Sequence, residues 1–256
     1  MAEYETSVRR AGEISADIDE GLRAYLTKVY TLMAVAMGIT GVVSYVFGND
    51  FYAAINGQAP MLIPAGVFET LYNTPLKWVV MFAPLAFVFL FAASINKMSA
   101  STAQIVFWVF SAVMGVSISW IFAAFTGESI VTTFFVTAIA FLSLSLYGYT
   151  TKRDLSAMGS FLIMGVVGLL IASVLNIWLQ SSALQFAVSA LGVLIFAGLT
   201  AFDTQRLKNE YIHYSQMGQE GAAILAKGAI MGALSLYINF LNMFMFLLQF
   251  LGAARE

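Results

Sequence analysis

Residues 155–202 read LSAMGSFLIMGVVGLLIASVLNIWLQSSALQFAVSALGVLIFAGLTAF and contain no charged side chain. A helix that crosses the hydrocarbon core of a bilayer needs about 20 mostly apolar residues, because each residue rises about 1.5 Å. Every backbone polar group must also be hydrogen-bonded within the span. The stretch is therefore long enough for two membrane helices, and the polar turn Gln180-Ser181-Ser182 divides them.

Other uncharged intervals lie on both sides of this stretch, and each is long enough for one more helix. They cover residues 29–49, 78–96, 98–127, 129–151 and 228–254. Hydrophobic residues make up 60% of the chain and charged residues 10%, whereas soluble domains are about half apolar and a quarter charged. We therefore predict an all-α integral membrane protein with seven transmembrane helices. Its single domain covers residues 25–256 and follows a mobile acidic N-terminal tail, residues 1–24.

The distribution of lysine and arginine predicts how the helices are oriented. These residues resist translocation and accumulate on the cytoplasmic side of a membrane. With seven helices and a cytoplasmic N-terminus, ten of the 12 Lys and Arg residues lie on the cytoplasmic side. Lys77 and Arg255 are the two that remain outside. We therefore expect the N-terminus in the cytoplasm and the C-terminus outside.

Composition also excludes several classes of function. A net charge of -2 provides no basic field for nucleic acid, so we expect no nucleic-acid partner. The chain has no cysteine, which excludes disulfides, thiolate metal sites and cysteine nucleophiles. The single histidine, His213, falls in the predicted loop after helix six, so no histidine metal pair or serine-histidine relay can form. We therefore predict a protein that is not an enzyme and has no cofactor.

Polar side chains form stripes on the two last helices. In helix seven, Ser235, Asn239, Asn242 and Gln249 follow helical spacing on an otherwise apolar surface, so this face should look inward. Asn239 and Asn242 could join helices through hydrogen bonds or line an ion pathway, and the sequence favours the two roles equally. A second stripe, on helix six, comprises Gln185, Ser189, Gly192, Phe196, Thr200 and Asp203.

Asp203 is the one acid that ends a long uncharged helix, because the other acids lie in the tail, the loops or the chain end. A carboxylate at membrane depth costs about 2.5 to 3.5 kcal/mol on insertion scales, so it usually has a partner or a function. One interpretation is an ion pair with Arg206 or Lys208. The other is a proton switch, with Lys97 and Arg206 as candidate counter-charges.

The amino-acid sequence around Asp203 resembles that of a known family. Residues 198–205, GLTAFDTQ, are similar to the G-x-x-A-Y/F-D-T-Q signature of the Bax inhibitor-1, or transmembrane Bax inhibitor motif, family. The resemblance continues in residues 147–155, YGYTTKRDL, and in residues 236–242, LYINFLN. It covers nearly the whole chain from helix one and indicates a bacterial-type member, which implies a bacterial inner membrane.

The resemblance implies a fold and a function. Family members have seven helices, with helix seven wrapped by the other six. In the members studied as calcium leaks, one aspartate on helix six and one on helix seven share a proton and open the pore by pH. Asp203 matches the first, whereas Asn239 stands at the second.

We therefore predict a pH-sensitive calcium leak with a weaker or acid-shifted pH response. Asp203, Asn239 and Asn242 would serve as pH sensor and ion pathway, and Asp203 would bind the transported calcium ion weakly. The alternative is a non-transporting regulator, because some bacterial relatives bind a membrane-anchored ATP-dependent protease. The expected partners are thus the lipid bilayer, calcium and, under the alternative, such a protease.

Overall fold

The computed structural model describes the backbone of residues 2–255 and the side chains of residues 18–255, and this part of the chain is predominantly α-helical. The helices are α1 (Ala2–Ile55), α2 (Ala65–Asn73), α3 (Leu76–Ser94), α4 (Ala100–Ile118), α5 (Ile121–Ala124), α6 (Gly127–Thr150), α7 (Ser156–Leu179), α8 (Ser182–Tyr214) and α9 (Gly218–Leu251). Short 3-10 turns follow α3 at Ile95–Lys97 and α8 at Ser215–Met217.

Within the described residues, six segments are long and apolar enough to cross a membrane, judged by length and composition. They are Ile18–Ile55, Leu76–Lys97, Ala100–Ala124, Gly127–Thr150, Ser156–Leu179 and Ser182–Leu251. The last has 70 residues and contains two long helices, α8 and α9, which meet at a turn where Gly218 has a φ of 60°. The prediction of an all-α integral membrane protein is confirmed, with six to seven long apolar helices.

The predicted turn at residues 180–182 separates α7 from α8. Gln180 adopts a left-handed conformation with φ 48°, which ends α7. The Asn176 side chain accepts a hydrogen bond from the Ser181 backbone at 2.9 Å. Ser181 then caps α8 by accepting from the backbone N–H of Leu184 at 3.3 Å. These side chains satisfy backbone groups that two separate helices would otherwise leave without partners.

Pro84 lies inside α3 and is accommodated by the neighbouring helix. Proline has no backbone N–H, so the carbonyl of Val80 loses its partner within the helix. The Ser117 hydroxyl on α4 donates to that carbonyl at 2.7 Å. The proline therefore fixes a polar contact between α3 and α4.

Two predicted boundaries differ from the structure. The boundary at residue 24 falls inside α1, where Leu22 packs into the core with only 2% of its surface exposed. The predicted mobility of the tail concerns mainly residues 1–17, whose side chains lie outside the described residues, and it stays a prediction. The predicted end of helix six near Asp203 is also wrong, because α8 continues to Tyr214 and His213 lies in its last turn rather than in a loop.

Many of the buried core residues lie on α9. This helix packs mainly against α8, α1, α6 and α4. Its Tyr237 is fully buried between Phe107 and Phe110, and the tyrosine hydroxyl shares a 2.6 Å hydrogen bond with Thr40 of α1. Thr40 also donates to the backbone carbonyl of Ser111 on α4 at 2.8 Å. A polar contact thus joins three helices inside an apolar core, where an unpaired hydroxyl would be costly.

Candidate functional site

Asp203 is buried between α8 and α9, with 4% of its surface exposed. Its Oδ2 atom accepts hydrogen bonds from the Ser235 hydroxyl at 2.6 Å and from the Asn239 amide at 2.7 Å. Its Oδ1 atom lies 3.0 Å from Nη2 of Arg206. Both carboxylate oxygens of Asp203 therefore have donors within hydrogen-bond distance.

Helical spacing brings these four side chains together. Ser235 and Asn239 are four residues apart on α9, and Asp203 and Arg206 are three residues apart on α8, so each pair shares a helix face. The continuation of α8 beyond Asp203 is what places Arg206 beside the carboxylate. The arginine lies at the rim of the bundle, because its side chain is 41% exposed whereas that of Asp203 is 6% exposed.

Glu210 is a site residue that the sequence analysis missed. Its Oε1 atom lies 3.6 Å from Nε of Arg206, so the arginine stands between two carboxylates, each about one helical turn away along α8. The spacing of four residues from Arg206 could have indicated this contact. It was not recognised because the predicted helix ended too early.

The other predicted site residues lie apart from Asp203. Asn242 donates to the carbonyl of Ile238 in its own helix at 2.9 Å, and it lines a cavity between α3, α4 and α9. Lys97 lies in the turn after α3, and among the described side chains the salt-bridge partner of Asp203 is Arg206 rather than Lys97. Lys208 donates to the backbone carbonyl of Tyr149 at 2.9 Å.

The two predicted polar stripes face each other across the α8–α9 interface. At the end far from Asp203, Ser189 donates to the side chain of Gln249 at 3.3 Å. Between the two polar ends, the rings of Phe196 and Phe246 stack with centroids 6.0 Å apart. A Cβ atom at Gly192 would lie 2.4 Å from the Phe246 ring, so only glycine permits this packing. The aromatic pair therefore closes the interface between Asp203 and the other end of α8.

The signature residues after Asp203 hold the neighbouring loop and helix. The side chain of Gln205 accepts from the backbone N–H of Leu155 at 2.8 Å and donates to the carbonyl of Arg153 at 2.7 Å. Thr204 donates to Ser145 of α6 at 3.3 Å. The segment thus joins α8 to α6 and to the α6–α7 loop.

A transported cation would find few ligands in this arrangement. Within residues 18–255, no group of three or more His, Asp or Glu side chains is placed to hold a metal ion. Calcium prefers six to eight oxygen ligands, and both oxygens of Asp203 already accept from donors. An approaching cation would therefore have to displace Arg206 first.

The fold and the site together define a multi-pass α-helical membrane protein with a buried carboxylate between its last two long helices. The sequence profile described as "Inhibitor of apoptosis-promoting Bax1" matches residues 22–256. The chain therefore belongs to the Bax inhibitor-1 family, as the sequence resemblance predicted.

Bacterial relatives cover almost the full length of the chain. An uncharacterized protein of Caulobacter vibrioides is 43% identical over 96% of this chain and 95% of its own length. The uncharacterized protein RP147 of Rickettsia prowazekii is 41% identical over 93% of both chains. The inner membrane protein YbhL of Escherichia coli is 40% identical over 92% of this chain and 94% of its own. The name of the Escherichia coli relative thus agrees with the assignment of this chain as a membrane protein.

Proposed function

We propose that this protein is a pH-sensitive calcium leak of the bacterial inner membrane, without an enzymatic step. Seven spans would place the N-terminus in the cytoplasm, the C-terminus outside and α9 at the centre of the other six. The observation that carries the proposal is the buried carboxylate of Asp203, which accepts from Ser235 and Asn239 on α9 and from Arg206 on its own helix.

Ionised Asp203 keeps the pathway closed. Its hydrogen bonds tie α8 to α9, and its negative charge holds the arginine cation where a calcium ion would pass. Protonation removes that charge, so the attraction to Arg206 and the two charge-assisted hydrogen bonds weaken. Arg206 is partly exposed and has Glu210 as a second partner, so it can move away from Asp203. The two helices then separate, and the stacked rings of Phe196 and Phe246 part.

Asn239 makes this pH response weaker or shifts it toward acid. Two carboxylates at hydrogen-bond distance repel each other, which favours uptake of a shared proton. An amide supplies no such repulsion and instead donates to the ionised partner, here at 2.7 Å. Calcium binding is weaker as well, because one carboxylate charge is absent.

Calcium flux in proteoliposomes tests the proposal. Purified protein in sealed vesicles with a calcium-sensitive dye inside is assayed from pH 5 to pH 8. We expect the wild-type leak to rise as the pH falls, and Asp203→Asn to leak at every pH because its side chain is always neutral. An Asp203→Asn protein that keeps the wild-type pH profile would refute the proposed switch.

Asp154 provides the matched control. This carboxylate lies in the α6–α7 loop, and hydrogen bonds from the side chain and backbone of Ser156 hold its pKa below the usual range. Asp154→Asn removes one acid outside the α8–α9 interface, so its flux profile should match the wild type. A profile altered to the same extent as that of Asp203→Asn would show a general charge effect instead of a local switch.

A further inference from the structure

A lateral groove runs along the bundle between α1 and α6. It consists of three adjoining cavities of about 480, 660 and 240 Å³. The first and second share Tyr30 and Leu142, and the second and third share Met37, Gly41 and Phe134. The three cavities therefore follow one another along α1 from Arg23 to Ser44.

The two helices flank the groove without packing closely against each other, and α9 forms part of its floor through Phe240. Gly38 and Gly41 leave the wall of α1 open, since a Cβ atom added at either would meet no atom within 4 Å. On the opposite wall, Leu142 is 63% exposed. In a membrane these apolar walls face the lipid chains directly.

Positive charge lies at one end of the groove. Arg23 is the charged residue among its lining side chains, and Thr27 and Tyr149 lie beside it. Within residues 18–255, Arg23 forms no salt bridge. Lys208 stands behind the same end, with its ammonium 5.0 Å from the centre of the Tyr149 ring. The remaining length of the groove is apolar or neutral, so its ends differ in charge.

We propose that this groove binds one anionic phospholipid, with its phosphate at Arg23 and an acyl chain along Gly38 and Gly41. Arginine binds phosphate through two parallel hydrogen bonds, and basic pockets between membrane helices recognise lipid headgroups. The lipid belongs to the leaflet on the Arg23 side, which is cytoplasmic in the predicted orientation. A membrane-spanning helix of a partner fits the groove less well. A cylinder about 10 Å wide and 30 Å long occupies roughly 2,400 Å³, which is more than the three cavities hold together.

Native mass spectrometry of the full-length protein tests the headgroup contact. The protein is released from vesicles of equal parts phosphatidylglycerol and phosphatidylcholine, and the lipids that remain bound are counted. We expect the wild type to retain one phosphatidylglycerol molecule and to prefer it over phosphatidylcholine. Arg23→Gln should lower this preference by about 5-fold, which is the effect of losing one basic residue near the membrane surface. Arg153→Gln removes a cation from the α6–α7 loop and should keep the preference. An unchanged preference in Arg23→Gln would overturn the proposal.

A second pair of variants tests the acyl-chain contact. Gly38→Leu fills the groove, whereas Gly168→Leu adds the same side chain on α7, where a Cβ atom also meets nothing within 4 Å. We expect Gly38→Leu to lose the retained lipid and Gly168→Leu to keep it, with both proteins monodisperse and equally helical. Equal retention in the two variants would overturn the proposal. A wild-type dimer that Gly38→Leu dissociates would also overturn it, by assigning the groove to a second copy of the chain.

Discussion

Restoring a second carboxylate opposite Asp203 is the most direct perturbation of the proposed switch. In Asn239→Asp, the new side chain keeps nearly the same shape and occupies the position from which the amide now donates to Oδ2 of Asp203 at 2.7 Å. Two ionised carboxylates would then stand across the α8–α9 interface with Arg206 as their nearest cation. The variant therefore converts a donor into a repelling neighbour without a change in packing.

The size of the effect follows from the geometry. Two like charges about 4 Å apart repel by about 4 kcal/mol at an effective dielectric constant of 20. At 1.36 kcal/mol per pH unit, full repulsion would move the pH midpoint of the calcium leak by about 3 units toward alkaline pH. Arg206 offsets part of this repulsion, because its guanidinium lies 3.0 Å from Asp203. We therefore expect the midpoint of the calcium leak to rise by about 1 to 3 pH units.

The assay is calcium efflux from proteoliposomes, measured in steps of half a pH unit for wild type and Asn239→Asp at equal protein density. Asn176→Asp serves as the matched control, because the Asn176 side chain at the end of α7 accepts from the Ser181 backbone, a role that aspartate keeps, and takes no part in the Asp203 cluster. Its midpoint should stay within about half a unit of the wild type. If Asn239→Asp leaves the midpoint unchanged while the protein is folded, the amide at this position does not set the pH response.

Three further predictions concern the scaffold around the site. Gln205→Ala removes both hydrogen bonds that the side chain makes to the α6–α7 loop. Trypsin should therefore cut after Arg153 several-fold faster than in the wild type. An unchanged digestion rate would show that other contacts hold the loop. Gly148→Ala places a Cβ atom 2.2 Å from the carbonyl oxygen of Ala201, so we expect the stability of the fold, followed by a thermal melt in detergent, to fall by about 1 to 3 kcal/mol. Gly127→Ala is the neutral control, because a Cβ atom there meets no atom within 4 Å. Deletion of residues 1–17 should keep the calcium leak, because the site lies between α8 and α9. A deletion that abolishes regulation of a membrane-anchored protease, in a protein that shows no flux, would favour the alternative function.

The membrane helices were predictable because, in lipid, each must hydrogen-bond its own backbone N–H and C=O groups. An uncharged interval of sufficient length leaves few other structures open to the chain, so α3, α6 and α7 lie close to their predicted positions. Helix ends in water carry no such constraint, and the predictions failed there. The extension of α8 to Tyr214 is amphipathic and charged, and no hydropathy rule identifies it as part of a membrane helix.

The sequence predicted which residues belong to the candidate site better than it predicted which of them contact one another. The spacing on α9 indicated an inward face, and the family resemblance selected Asp203 and Asn239. The sequence favoured Lys97 as much as Arg206 as counter-charge, and only the helical path beyond Asp203 places the arginine at 3.0 Å. Glu210 was missed because the predicted helix ended before it, although its spacing of four residues from Arg206 is a sequence signal. The lateral groove had no sequence signal, because it depends on how α1 lies relative to α6.

The sequence by itself determined the class of protein, the approximate helix positions and the residue types that line the last two helices, because these follow from local hydrophobicity and helical period. Which polar side chains of different helices meet depends on the tertiary structure. The rotation and crossing of packed helices decide whether a buried carboxylate faces an amide of the next helix or lipid, and residues 32 and 36 positions apart come within hydrogen-bond distance only through that packing.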